Sequence, residues 1–269
     1  MGMVYVVGAA KGGTAKSVSA LNLAYSLAEV GKKVLALDMD PQANLTMCFG
    51  VDNPSEVEVT IGDLMLDVLE GEEQDADSAE PRMDPKEYIW ERNGVDFIPG
   101  SMMLSAVEVK LRMEMGSERI LKKIVDDVKD DYDIVIVDTC PSMGLLTINA
   151  LSAADRAIVT ANPQLLAMKG LQDFLKTVKK IKNRINADLQ VEGILLTMCE
   201  RRTNLCKTVT DEVKEAFDGR IRVFKNCIPN TVKVGEAVYY GKPLCEYAPQ
   251  SEVCEAYRSV TREILSSMP

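Results

Sequence analysis

The chain has 269 residues, 46% of them hydrophobic and 27% charged, with a formal net charge of −10, seven cysteines and no histidine. This balance suits one α/β domain over residues 1–269 with a full core. No apolar run nears the roughly 20 residues that cross a bilayer, and the start of the chain has no leader-like pattern, so a soluble, non-exported, cytoplasmic protein is expected. Cysteines without C-x-x-C spacing and the lack of histidine argue against zinc sites and histidine-based catalysis and favour reduced, buried thiols.

In chain order, Val4 to Val7 forms a first apolar run, followed by Lys11-Gly12-Gly13-Thr14-Ala15-Lys16-Ser17. Val18, Leu21, Tyr25 and Ala28 then fall on one helical face, with Gly31 placed as a C-cap. Val34 to Leu37 is the second run, and Gly62 to Leu69 reads as a helix. Residues 70–92, crowded with Glu and Asp between Glu70 and Pro81, read as an acidic surface loop. Strand-like runs follow at Val95 to Ile98, Ile134 to Val137, Ala157 to Thr160 and Ile194 to Thr197. Helical patterns lie between them at Ser117 to Val128, Gly144 to Ala153 and Leu166 to Ile185. Continuous apolar runs of this length suit parallel strands buried on both faces. Their alternation with helices predicts a doubly wound, mostly parallel sheet flanked by helices, with ligands at the carboxyl ends of the strands.

The run from Lys11 to Ser17 is the most specific motif. Strand, glycine-rich turn and helix in that order make a phosphate-binding loop: backbone N–H groups converge on an anion, Lys16 adds a point charge, and Ser17 offers a hydroxyl to a magnesium ion. Ala10 and Ala15 stand where a strict G-x-x-x-x-G-K-[ST] loop has glycines, so the sequence fits the variant that begins with lysine, K-G-G-x-G-K-[ST], and departs from it only at Ala15. The bland alternative is a glycine-rich turn bearing solvated lysines. Two acidic groups emerge at other strand ends, in Asp38-Met39-Asp40-Pro41 and Asp138-Thr139-Cys140-Pro141. Asp138 closes an apolar run as a Walker B aspartate does, and Asp40 is the candidate for orienting an attacking water. Read without the loop, the same aspartates are caps or turn formers.

In these motifs the sequence resembles the ParA/Soj chromosome and plasmid partition ATPases, within the deviant Walker A group of P-loop proteins that also holds MinD. The likeness runs through Asp138-Thr-Cys-Pro-Ser-Met-Gly, Asn162-Pro163-Gln164, Gly193-Ile-Leu-Leu-Thr197, Ile228-Pro229-Asn230-Thr-Val-Lys233 and Gly241-Lys242-Pro243-Leu244. It implies ATP/ADP and Mg2+ as ligands and a homodimer on ATP binding. It also implies non-specific duplex DNA and a ParB-like protein as partners, with a nucleoid-associated location and no membrane. By the same resemblance, Lys11 reaches the partner subunit's phosphates and Lys16 serves its own. Gly12, Gly13, Thr14, Ala15 and Val18 complete the cradle. Ser17, Asp38 and Asp138 lie at the metal, Asp40 at the water, and Thr197, Met198, Pro229 and Asn230 at the adenine. Arg202 and Lys233 are implied as DNA contacts.

Three departures stand out: Ala15 for glycine and Val18 for threonine imply weaker nucleotide holding, and Asn230 for arginine removes a phosphate contact. The alternatives to the dimerising ATPase are a MinD-like membrane-cycling ATPase and a weakly hydrolysing or non-hydrolysing nucleotide-dependent scaffold. The membrane reading needs a basic amphipathic C-terminal helix, whereas residues 251–269 carry Glu252, Glu255 and Glu263 beside only Arg258 and Arg262.

Overall fold

The computed structural model describes residues 2–9, 11–72, 83–164, 167–200 and 202–268. Ala10, Leu166, Arg201 and the acidic stretch 73–82 lie outside the described residues. The strands are β1 (Met3–Gly8), β2 (Val34–Met39), β3 (Trp90–Arg92), β4 (Val95–Ile98), β5 (Ile134–Thr139), β6 (Arg156–Ala161) and β7 (Gln190–Leu196). The helices are α1 (Lys16–Glu29), α2 (Asn44–Cys48), α3 (Ile61–Glu72), α4 (Pro85–Tyr88), α5 (Met103–Leu111), α6 (Ile120–Val128), α7 (Leu145–Ala153), α8 (Ala167–Arg184), α9 (Asn204–Phe217), α10 (Val232–Tyr239), α11 (Leu244–Tyr247) and α12 (Glu252–Ser267).

Six of these strands run parallel, and β3 pairs antiparallel with β4 at one edge; the order is β3-β4-β2-β5-β1-β6-β7. The loop expected over 70–92 is therefore structured at both ends: α3 runs on to Glu72, and α4 and β3 occupy most of 85–92. Asp84 explains α4, since its side chain caps the Lys86 N–H ahead of Pro85.

Period-two alternation sends side chains of each strand to two cores. Val4 and Val6 join the cluster under α3, α5, α6, α7 and α8, while Tyr5 and Val7 join the cluster under α1 and α12. A buried Leu or Ile on either face contributes about 1.5–3 kcal/mol. From β1 the chain moves outward to β2 and β4, returns through β5, and crosses to β6 and β7 on the other flank of β1. The turns after β1, β2 and β5 consequently open on one crevice at the carboxyl ends of the strands. Gly8 fixes the exit from β1, because a Cβ there would meet the Phe174 ring of α8 at 2.3 Å.

Candidate functional site

Lys11, Gly12 and Gly13 are exposed, Thr14 is buried, and Gly13 takes φ 73°. Ala15, the N-cap of α1, lies at φ 51°, ψ 37°, in the left-handed region. Its departure from glycine is therefore a matter of backbone conformation: an L-residue held there costs about 1–2 kcal/mol. Two strand ends pin the loop. Thr14 Oγ1 pairs with Thr160 Oγ1 at 3.1 Å, and Thr197 Oγ1 donates to the Thr14 carbonyl at 2.9 Å. Lys16 is 7% exposed in the first turn of α1, with Ser17 and Val18 half-buried beside it.

Parallel register sets Asp38 of β2 opposite Asp138 of β5, and Val7 of β1 opposite Asp138 on the other side. Both aspartates are buried. Asp38 spends its carboxylate on the following turn: Oδ2 accepts from the Thr46 N–H at 2.8 Å and the Thr46 hydroxyl at 2.7 Å, and Oδ1 accepts from the Asp40 N–H at 3.1 Å. Thr46 Oγ1 in turn accepts from Gly100 N at 2.8 Å. Burial pushes Asp38 up to about 6 despite those donors. Asp38, implied at the metal, makes these hydrogen bonds to the turn that carries Asp40. Asp40 is 4% exposed, and its Oδ1 accepts from Gln42 N at 2.9 Å.

Asp138 differs. Neither of its oxygens has a hydrogen bond of ordinary length, although the residue is fully buried. Burial, then the charge of Asp38, hold it well above the usual carboxylate range, while Ser17 and Lys16 face it and pull the other way. A buried polar group without partners is rare and needs an explanation. Here the donors around it suit a hydrated divalent cation. Among the described residues no group of three or more His, Cys, Asp or Glu side chains could hold a metal ion.

On the far side of β6, Thr197 is fully buried under the loop, and Met198 takes φ 54°. That turn throws the chain against the segment before α10: Cys199 N donates to Ile228 O at 2.9 Å and Asn230 N to Cys199 O at 3.1 Å. Pro229 and Asn230 consequently line a cleft of about 560 Å³ together with Arg202, Thr203 and Lys233. The residues expected at the adenine and those expected on DNA share this cleft, apart from Thr197 and Met198, which stand between it and the loop. Exposed Arg202 and Lys233 come from the start of α9 and the first turn of α10.

Thr46 and Thr160 carry no motif of their own, and their roles come from contacts 8 and 146 residues away in sequence. No disulfide joins the seven cysteines, of which four are buried and Cys48, Cys227 and Cys245 half-buried.

Comparison with known proteins places this site in context. The family model described as an AAA domain matches residues 2–191. The chain is 37% identical over 267 residues to the sporulation initiation inhibitor protein Soj of Bacillus subtilis (strain 168), covering 99% of this chain and 100% of that protein. Among solved structures, cobyrinic acid a,c-diamide synthase from Mycobacterium smegmatis with bound ATP analogue and magnesium has a TM-score of 0.81 at 28% identity, covering 98% of this chain and 95% of that one. The cell division ATPase MinD of Pyrococcus furiosus gives 0.76 at 26% identity, covering 100% of both chains.

Proposed function

The chain belongs to the ParA/Soj family of partition ATPases, and from that premise we propose a dimerising, magnesium-dependent ATPase that binds duplex DNA without sequence preference in its ATP form and releases it when a ParB-like partner stimulates hydrolysis. The observation that carries the reading is the pair of buried, unpartnered Asp138 oxygens facing Lys16 and Ser17 across the phosphate loop. The solved relatives crystallised with an ATP analogue and magnesium, or with ADP and magnesium, support the same ligands for this site.

In this reading the backbone N–H groups of Gly12 to Lys16 and the α1 N-terminus take the phosphates. Lys16 neutralises the outer ones, and exposed Lys11 serves the partner subunit's. Ser17 and Asp138 would hold Mg2+, and the ion would supply charge neutralisation at the transferring phosphoryl group. Asp40, fixed by the Asp38–Thr46 turn, orients the attacking water. Dimerisation doubles Arg202 and Lys233 on one face, so the local potential outweighs the net charge of −10.

The membrane-cycling alternative loses support from the end of the chain. The apolar face of α12, with Val253, Tyr257, Val260 and Ile264, is buried in the core beneath α1 and is not free to enter a lipid surface. The test is ATP hydrolysis with and without Mg2+, duplex DNA and a ParB-like protein. Slow Mg2+-dependent turnover, raised by DNA and partner together, is expected. Tight ATP binding without any turnover would replace the enzyme by the nucleotide-dependent scaffold.

A further inference from the structure

We infer that Tyr257 is a positioning residue for the phosphate loop, acting through Ser19 on the strained Ala15; the inference rests on the nucleotide-binding reading above. Ser19 lies one turn into α1 and is fully buried. Its N–H donates to the carbonyl of Ala15 at 2.9 Å, the bond that closes the first turn over the left-handed residue. Its hydroxyl pairs with the Tyr257 hydroxyl of α12 at 3.2 Å, and Tyr257 is itself 1% exposed. One residue further on, Arg258 grips the other end of α1 with a two-toothed contact, Nε to Glu29 Oε2 at 2.8 Å and Nη2 to Glu29 Oε1 at 2.5 Å. A single turn of α12 thus braces both ends of the helix that begins at the phosphate loop.

A left-handed alanine persists only where its surroundings over-determine it. Two hydroxyls facing each other inside an apolar interface contribute direction more than net stability, because each must be satisfied where it is buried. Remove the Tyr257 hydroxyl, and Ser19 loses the partner that fixes its turn. Molecules in which Ala15 has relaxed out of the left-handed region then become populated, and they do not present the loop N–H groups to phosphate. Apparent affinity falls by the fraction that remains competent.

The experiment compares Tyr257→Phe, Ser19→Ala, the double variant and Ile264→Val, a control that trims a buried side chain of α12 away from this contact. A fluorescent ATP analogue with Mg2+ reports affinity, and amide hydrogen exchange of residues 11–19 in the nucleotide-free protein reports loop order. Tyr257→Phe and Ser19→Ala are each expected to weaken affinity about threefold to tenfold, the double variant no further, and Ile264→Val to leave it unchanged at a similar loss of Tm. In an Ala15→Gly background, where the left-handed conformation costs nothing, the Tyr257→Phe loss should shrink to less than about twofold. Equal loss in Ile264→Val, additive losses in the double variant, or an undiminished loss in the Ala15→Gly background would overturn the inference. If the wild type binds no ATP analogue, the nucleotide reading fails on its own. Exchange at residues 11–19 then still decides the positioning role, faster in Tyr257→Phe than in Ile264→Val if it holds and alike if it does not.

Discussion

Replacing Asp138 by asparagine removes a buried charge that makes no hydrogen bond of ordinary length, with Ser17 and Lys16 beside it. Both carboxylate oxygens are buried and unbonded, Asp38 lies opposite on the adjacent strand, and the pair holds Asp138 well above the ordinary carboxylate range. When ionised, Asp138 is a desolvated, repelled carboxylate, and leaving such a group unsatisfied costs about 1–3 kcal/mol. Asp138→Asn keeps the shape and drops the charge. The nucleotide-free variant is expected to be more stable by about 2 kcal/mol, a rise in Tm of about 4–8 °C for a chain of this size. The sign with pH follows from the raised values. A carboxyl whose folded pKa exceeds its unfolded one favours the native state at low pH and loses that contribution as pH rises through the folded value. As pH falls through the raised folded value of Asp138 towards the ordinary carboxylate range, the wild type gains and the gap to Asp138→Asn closes. Thermal unfolding in a chelating buffer from pH 5 to 8, with ATP hydrolysis measured in parallel, reads both halves, and Mg2+-dependent hydrolysis should fall by at least about tenfold. A variant less stable than the wild type at pH 8, or one that hydrolyses ATP normally, would refute the assignment of those oxygens to a cation.

Ala15→Gly relieves about 1–2 kcal/mol of left-handed strain, offset by about 0.4–1 kcal/mol of added chain entropy in the unfolded state, so a net gain between about 0 and 1.6 kcal/mol is expected in denaturant unfolding. A loss would show that the Ala15 backbone is unstrained. Asp40→Ala should slow single-turnover hydrolysis at least about tenfold while leaving ATP affinity within about twofold, and equal losses in both would move Asp40 into the metal site. Arg202→Ala and Lys233→Ala should each weaken DNA binding by the ATP form and flatten its salt dependence by about one phosphate contact per subunit. Filter binding at two salt concentrations checks this, and equal binding by the nucleotide-free protein would remove DNA from the cycle.

The parallel sheet was legible because β1, β2, β4, β5, β6 and β7 are short, mostly apolar runs, interrupted by a charge at Asp96 in β4 and Glu192 in β7, and the loop because glycines and lysines stand at fixed offsets after the first of them. The elements that sequence reading passed over lack such signals. The N-cap of α2 is Ala43 at φ 51°, without a side-chain cap. α5 starts from Met102 without a cap and exposes Met103 and Val109 beside buried Leu104 and Val107. α9 and α10 do begin at threonine caps, Thr203 and Thr231; in α9 buried Cys206, Val209, Val213 and Phe217 are interleaved with five charged residues, and α10 has one buried side chain. At the site, the acidic strand ends were visible as residue types, whereas the division of labour between Asp38 and Asp138 was not. It depends on Thr46 reaching back to Asp38, while Asp138 has Ser17 and Lys16 beside it and no hydrogen bond of ordinary length. The same holds for Thr197, which sequence likeness assigned to the adenine and which the fold spends on the Thr14 carbonyl. Contacts such as Ser19 with Tyr257, 238 residues apart, are set by the packing of α12 on α1 and leave no local trace.

The solution mass of the protein with ATP and Mg2+, by size exclusion with light scattering, bears most directly on the ATP-sandwiched dimer. Lys11 is exposed at the loop entrance while Lys16 is buried against its own site. The wild type should therefore double its mass on ATP binding, and Lys11→Ala should bind nucleotide yet stay a monomer. A wild type that remains monomeric with ATP at high concentration, or a Lys11→Ala variant that dimerises as well as the wild type, would contradict it.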